Sequence, residues 1–263
     1  MENFIREYKI DTDLCDQLVR HIHRNPERQV QGQTTGGVDK NVKDSTDLIL
    51  DPYSAIFKDY VSEIKECFDN YSDEFTFVNR TAPWGIVEGI QLQWYKPEGG
   101  YYDWHCERGG NNDPVLTSRF LVWITYLNDV PNAGTDFKYF PELNIEAVKG
   151  KTIIWPVDWP HAHRGRVSRT HNKYIATGWM GFLNAENQNI DPVQRSIVGN
   201  YQSQQNNDVN ESKEYIDKSM GIEKGGLGEM ESFESENQPK YEWPYPEKTE
   251  NQDRFVSDTT QYK

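Results

Sequence analysis

The chain has 263 residues, which suits one large all-β domain or a domain with an added tail. Its 28 Lys and Arg face 42 Asp and Glu, and the resulting net charge of −14 argues against nucleic-acid and anionic-membrane binding. Three cysteines without a C-x-x-C pair, no long apolar run and no apolar leader predict a soluble protein in a reducing, cytoplasmic compartment.

The first predicted element is an amphipathic helix over residues 12–24, with Thr12 or Asp13 as its N-cap. His21 and His23 lie on this helix. They are two residues apart and do not face each other on a helix, so we interpret both as surface or packing residues.

A long polar loop follows at residues 30–47, where three glycines stand among small polar residues. Such a loop can serve as a mobile lid or be an ordinary surface excursion. A second helix is predicted over residues 52–71, with apolar positions at Ile56, Tyr60, Ile64 and Cys67. We therefore predict that residues 1–85 form an N-terminal region, in which helices and a lid-like loop pack on the core.

Between residues 86 and 195 the apolar period changes from helical to two, which is typical of β-strands. The predicted strands are 89–95, 119–127, 134–140, 151–156 and 173–183. Turn residues separate them. Many short strands at close spacing indicate a mainly β core, either a sandwich or a barrel with antiparallel pairing.

Residues 196–263 are rich in Gln, Asn, Ser, Glu and Gly, and with 7 basic and 14 acidic residues they carry half of the net charge. We expect an acidic polar tail that is partly disordered. Its cluster of Tyr241, Trp243, Pro244, Tyr245 and Pro246 could dock on the domain or bind a partner.

A candidate metal motif lies near the end of the first predicted core strand. His105 and Glu107 are two residues apart, so in extended chain they point to the same side. A second imidazole could come from His161, His163 or His171. Two His and one carboxylate form the facial triad suited to non-haem Fe(II). An H-x-[DE] motif alone is weak evidence, because about one is expected by chance here.

The surrounding motifs strengthen this reading. Tyr95 lies ten residues before His105, and Lys173 lies ten residues after His163. The segments Tyr126-Leu127-Asn128, Gly134-Thr135-Asp136-Phe137 and Lys149-Gly150-Lys151-Thr152-Ile153-Ile154-Trp155-Pro156 stand between the two halves of the motif. In this order they resemble the prolyl 4-hydroxylase-like group of 2-oxoglutarate oxygenases, over roughly residues 86–183.

The resemblance implies a double-stranded β-helix, or jelly roll, with flanking N-terminal helices. It implies Fe(II) bound by His105, Glu107 and His163. It also implies 2-oxoglutarate bound by Lys173, with Tyr126, Tyr95 and Thr177 as supporting pocket residues, O2 as co-substrate and ascorbate as a candidate reductant. Arg166 and Arg169 are rivals for the anion, and Asp103 is the fallback carboxylate, because most of the family has Asp where this chain has Glu107.

The function implied is hydroxylation of an aliphatic C–H, with release of succinate and CO2. A prolyl residue of a peptide or protein is the expected substrate, and a free amino acid or other small molecule is the nearest alternative. A cupin-like metalloenzyme that uses no 2-oxoglutarate and a non-catalytic jelly-roll binding module are the alternatives from other classes. The sequence does not indicate an oligomeric state.

Overall fold

The computed structural model describes residues 2–109 and 113–183, and within them the chain forms two antiparallel sheets and three α-helices. The helices are α1 (Thr12–Arg24), α2 (Lys58–Glu74) and α3 (Pro114–Ser118). The strands are β1 (Arg6–Lys9), β2 (Val30–Gln31), β3 (Thr46–Leu50), β4 (Trp84–Ile86), β5 (Ile90–Tyr95), β6 (Arg119–Tyr126), β7 (Val130–Phe137), β8 (Ile145–Ala147), β9 (Lys151–Pro156), β10 (His163–Gly165) and β11 (Lys173–Phe182).

The large sheet has the order β1-β9-β6-β11-β5-β3-β2, with β4 also paired to β11, and the small sheet has the order β10-β7-β8. Every strand pairing within the described residues is antiparallel, as in Ile175 of β11 opposite Tyr126 of β6. An isolated bridge between His105 and His163 adds a further segment to the small sheet beside β10. The arrangement is the double-stranded β-helix that the family resemblance implied, with α1 and α2 flanking it.

Two apolar cores lie on opposite faces of the large sheet. Strand residues alternate between faces, so Trp123 joins the core under α1 and α2 while its neighbour Val122 joins the core between the sheets. Both side chains are fully buried. Because both faces are covered, β11 is buried along almost its whole length, which explains its nearly continuous apolar sequence.

Both predicted helices exist, but their ends differ from the prediction. The N-cap of α1 is Asp11, whose side chain accepts a hydrogen bond from the Asp13 N–H. Thr12 and Asp13 instead lie within the first turn. The second helix begins at Lys58 and not at residue 52, because a turn and a short 3₁₀ segment precede it. Ile56 belongs to that segment and is 74% exposed, so it is not part of the predicted apolar face.

The N-terminal region supplies strands that the sequence analysis missed. β1 and β3 add to the large sheet, and β2 pairs with β3 across the loop predicted at residues 30–47. These strands, like β4, β8 and β10, are five residues or shorter. A strand of five residues or fewer has too few alternating apolar and polar positions for a period of two to be recognised in the sequence.

The predicted acidic tail at 196–263, with its aromatic cluster around Trp243, lies outside the described residues. Among the residues that the structure does describe, no helix is both long enough and apolar enough to cross a membrane.

Gly134 offers a test of how closely strands β7 and β8 of the small sheet approach each other. A Cβ at this position in β7 would overlap the backbone carbonyl of Ile145 in β8. We expect Gly134→Ala to lower the free energy of unfolding by about 1–3 kcal/mol, because the backbone of one strand must shift. Urea denaturation measures this. Gly36→Ala is the matched control, since its Cβ would meet only Thr34 Oγ1 at 3.6 Å. Equal midpoints for the two variants would contradict the prediction.

Candidate active site

Two backbone hydrogen bonds bring the histidines of the motif together. The His105 N–H donates to the His163 carbonyl at 3.0 Å, and the His163 N–H donates to the His105 carbonyl at 2.8 Å. The two ring centroids are 4.4 Å apart. Glu107 lies two residues further along the same extended segment, and its N–H donates to the Val157 carbonyl. Three residues far apart in the sequence therefore meet at one end of the jelly roll.

The potential ligand atoms of His105, Glu107 and His163 all lie within 4.8 Å of one another. Glu107 Oε1 is 3.2 Å from His163 Nε2 and 3.7 Å from His105 Nε2. All three side chains are largely buried, with 18%, 13% and 4% exposure for His105, Glu107 and His163. One carboxylate oxygen thus faces two imidazole nitrogens, and these three atoms could hold one metal ion.

The tautomer of each imidazole is set by its own backbone. His105 Nδ1 is 3.0 Å from the Asp103 carbonyl and His163 Nδ1 is 3.0 Å from the His161 carbonyl. A carbonyl only accepts, so each Nδ1 carries a proton, and each Nε2 faces Glu107 Oε1. Burial, with the neighbouring His163, lowers the pKa of His105 to about 4. A neutral imidazole at pH 7 is the form that binds a metal.

Glu107 is held in its ionised form. Burial alone would raise its pKa, but the hydrogen bond and charge of His163, together with the charges of His105 and Arg119, lower that pKa well below the usual range. The donor set is thus one ionised carboxylate and two imidazoles whose Nε2 atoms lie beside it. Its chemistry fits Fe(II), for which such a facial set leaves further coordination positions open.

A cavity of about 290 Å³ adjoins these three residues. Its walls include all seven residues that the sequence analysis selected, namely His105, Glu107, His163, Lys173, Tyr126, Tyr95 and Thr177. Strands β5, β6, β10 and β11 supply five of them. Because alternate residues of one strand share a face, Lys173, Thr177 and the neighbouring Trp179 of β11 all point into it.

Lys173 is the buried cation of this cavity. It is 4% exposed, and its Nζ donates to the carbonyls of Arg166 at 2.7 Å and Ala133 at 3.2 Å. The ammonium also lies 5.0 Å from the centre of the Tyr95 ring. Burial, with a smaller effect of Arg166, lowers the pKa of Lys173 to about 8. Within the described part of the chain no carboxylate pairs with it, so this cavity carries an uncompensated positive charge that favours an anion.

The hydroxyl groups beside Lys173 have partners within the fold. Tyr126 Oη and Thr135 Oγ1 are 2.6 Å apart, Tyr95 donates to Gln93 Oε1 at 2.6 Å, and Thr177 donates to a backbone carbonyl. Each oxygen can still accept a hydrogen bond. Burial raises the pKa of Tyr126 and of Tyr95, so both are neutral phenols at pH 7.

The other residues considered as metal ligands or anion partners in the sequence analysis have different surroundings. Asp103 is exposed, so it does not join the three-residue cluster. His161 donates from Nε2 to the Asn3 carbonyl, and His171 is exposed in a turn. Arg166 pairs with Asp136 and Glu146, and Arg169 is exposed. His21 and His23 pack against aromatic rings, as expected.

Sequence reasoning missed three residues around the cluster. Tyr101 stacks on the His105 ring, with centroids 3.6 Å apart. The indole N–H of Trp179 donates to Glu107 Oε2 at 2.9 Å. Arg119 donates to the Glu107 carbonyl. Trp179 could have been found from the sequence, because alternation places it on the same strand face as Lys173. Nothing in the sequence linked Arg119 to the motif.

Residues 90–181 match the model of the 2OG-Fe(II) oxygenase superfamily. No curated protein sequence matches the chain. Among solved structures, a Pseudomonas putida prolyl-4-hydroxylase is similar at 15% identity and a TM-score of 0.51, over 69% of this chain and 94% of that one.

Two further structures are similar to this chain. A viral collagen prolyl hydroxylase from Paramecium Bursaria Chlorella virus-1, solved as a 2OG complex, has 17% identity and a TM-score of 0.50, over 69% and 97% of the two chains. A Trichoplax adhaerens prolyl hydroxylase in complex with a hypoxia inducible factor peptide fragment has 13% identity and a TM-score of 0.52, over 68% and 84%. At such identities the structures show the fold.

Fold and site together define a jelly-roll protein with a two-histidine, one-carboxylate cluster at the end of its cavity. The family match covers residues 90–181, which include most of the strands that build this cavity, so this part of the chain is similar to the 2OG-Fe(II) oxygenase superfamily.

Proposed function

We propose that the protein is an Fe(II)- and 2-oxoglutarate-dependent dioxygenase that hydroxylates a prolyl residue of a peptide or protein. The observation that carries this is the pairing of two features in one cavity. One is the cluster of two imidazoles and one carboxylate, and the other is a buried ammonium that has no anionic partner among the described residues. The similarity of residues 90–181 to the superfamily model supports the use of Fe(II) and 2-oxoglutarate.

In this proposal His105, Glu107 and His163 hold the metal. The bound iron supplies the redox chemistry that couples decarboxylation of 2-oxoglutarate, yielding succinate and CO2, to insertion of an oxygen atom from O2 into a C–H bond. The chain contributes the geometry. Backbone carbonyls accept from both Nδ1 atoms, so the Nε2 atoms are the ones placed to bind the metal.

Lys173 is proposed to bind the distal carboxylate of 2-oxoglutarate. Its position is fixed by two backbone carbonyls, so little side-chain entropy is lost when the anion arrives. Tyr126, Tyr95 and Thr177 are proposed to complete this part of the pocket, since all three line it. Ascorbate as a reductant belongs to the same proposal and rests on the family resemblance alone.

The charges of the cavity favour a peptide over a free amino acid. Lys43 is paired with Asp47, and two buried or half-buried arginines of the wall, Arg119 and Arg108, are paired with acidic partners. Apart from Lys173, the described part of the cavity thus has no spare cation for a substrate carboxylate. A zwitterion would bring two charges that need partners, whereas an internal peptide residue brings none.

Neutral polar groups are available for such a substrate. Gln33, Thr34, Thr35 and Gln91 line the cavity. The Gln33 side-chain oxygen is buried and has no hydrogen-bond partner in the described structure, so it can accept a peptide N–H. A structural relative crystallised with a peptide fragment is consistent with this class of substrate.

A turnover assay tests the proposed function. We expect purified protein with Fe(II), 2-oxoglutarate and O2 to release succinate and to add one oxygen atom to proline-containing peptides, as detected by mass spectrometry. His163→Ala should abolish both signals, because one of three metal ligands is lost. His171→Ala is the matched control and should keep them, since His171 lies exposed outside the cavity.

Two results would contradict it. Turnover of free proline but not of peptides would indicate the small-molecule alternative. Absence of iron-dependent succinate with any peptide, under conditions in which the protein is folded, would leave a non-catalytic module as the better description.

The charge state of Lys173 predicts a pH dependence of co-substrate binding. The free ammonium loses its proton near pH 8, and a bound anion favours the protonated form. The anaerobic affinity for 2-oxoglutarate should therefore be constant below about pH 8 and fall above it by up to about tenfold per pH unit.

Lys173→Met should weaken 2-oxoglutarate binding by about 10- to 100-fold and remove that pH dependence. Lys138→Met is the control, because Lys138 is exposed. Isothermal titration calorimetry on the metal-loaded protein measures the affinities. An unchanged affinity in Lys173→Met would rule out Lys173 as the anion partner, and a parent protein that binds no 2-oxoglutarate would favour a metalloenzyme that does not use it.

A further inference from the structure

Glu107 has two carboxylate oxygens with different surroundings. Oε1 faces the two imidazoles, at 3.2 Å from His163 Nε2 and 3.7 Å from His105 Nε2. Oε2 faces away from them, accepts the Trp179 indole N–H at 2.9 Å and lies 3.6 Å from Arg119 Nη1. The carboxylate is therefore oriented before any metal binds.

Arg119 is itself fixed. Its Nε and Nη2 donate to the two oxygens of Glu88 at 2.6 and 2.7 Å, and Nη1 donates to the Glu107 carbonyl at 3.0 Å. Arg119 and Glu88 are 8% and 3% exposed. A bidentate, buried ion pair of this kind has little freedom to rotate. Its guanidinium also lies 3.8 Å above the Trp179 ring, so it holds the indole in place as well.

We propose that Trp179 and Arg119 are positioning residues for Glu107, and that Glu88 fixes Arg119. They bind Oε2 of Glu107, so that Oε1 is the one oxygen of this carboxylate left to bind the metal beside the two imidazoles. This inference rests on the proposed function. It also accounts for the departure from the Asp typical of the resembling family. With one methylene fewer, an aspartate at 107 cannot reach the indole N–H and the two imidazoles from the same backbone position.

The proposal requires that Trp179 acts through Glu107. Trp179→Phe removes the N–H donor but keeps an aromatic ring above Arg119. A carboxylate that loses its outer hydrogen bond is free to turn, and outer-shell substitutions of this kind typically weaken metal binding by about 10- to 100-fold. Trp94→Phe is the matched control, because the Trp94 indole also donates one hydrogen bond, to Asn172 Oδ1, outside the cavity.

A double-mutant cycle on the full chain, read by Co(II) titration of its visible absorption, provides the test. We expect Trp179→Phe to weaken Co(II) binding by about tenfold, while Trp94→Phe leaves it unchanged. In the Glu107→Asp background, which is itself weaker, Trp179→Phe should cause no further loss. Glu88→Gln should weaken Co(II) binding in the same direction as Trp179→Phe, because Arg119 loses its anchor.

Thermal unfolding of the metal-free variants separates a positioning role from a general structural role. A tryptophan with only a structural role would lower the melting temperature by the same amount whether residue 107 is Glu or Asp. The proposal is overturned if Trp179→Phe binds Co(II) as tightly as the parent, or if its effect is the same with Asp at 107. In both cases the parent still binds metal, so the proposed function survives. A parent chain that binds no Co(II) would remove both.

Discussion

The site depends on one backbone interaction, the pair of hydrogen bonds that joins His105 to His163. These residues belong to segments that are far apart in the sequence, and antiparallel pairing places them directly opposite each other. Side chains of directly opposed residues lie on the same face of a sheet. A shift of one residue in this register would turn one imidazole away from the other and remove the cluster.

The remaining features follow from that register. Glu107 shares the face of His105 because it is two residues away, and β11 presents Lys173 and Trp179 to the same cavity through the same alternation. The cavity separates its charges. One end has a carboxylate beside two imidazoles, and the other has an ammonium whose hydrogen-bond partners in the described residues are carbonyls. Such a layout suits a metal and an anion bound side by side.

The sequence allowed the longer strands to be predicted because each of β5, β6, β9 and β11 is at least six residues long and keeps its apolar pattern. The short strands were missed for lack of length. Helix α2 was placed too early because Ile56 fits a helical spacing, although it lies in an exposed segment before the helix. Pairing partners cannot be obtained from periodicity, because they depend on contacts between distant segments.

The same limit applied to the site. Spacing and resemblance indicated His105, Glu107, His163 and Lys173, which the fold brings to one cavity. They did not indicate Arg119, because its relation to Glu107 exists only through β-sheet pairing and the buried Glu88. Nor did they indicate that Trp179 donates to Glu107, since a tryptophan in an apolar strand is usually core. Hydrogen bonds around a ligand are properties of the folded geometry, and single-sequence patterns do not carry them.

The most direct test of the central claim is the coordination of Fe(II) in the anaerobic protein with 2-oxoglutarate, measured by X-ray absorption. We predict that the iron is bound by two imidazole nitrogens and one carboxylate oxygen of the chain, together with 2-oxoglutarate. In His105→Ala one of the two imidazoles should be missing. A site with a single imidazole, or an iron environment that His105→Ala and His163→Ala leave unchanged, would contradict it.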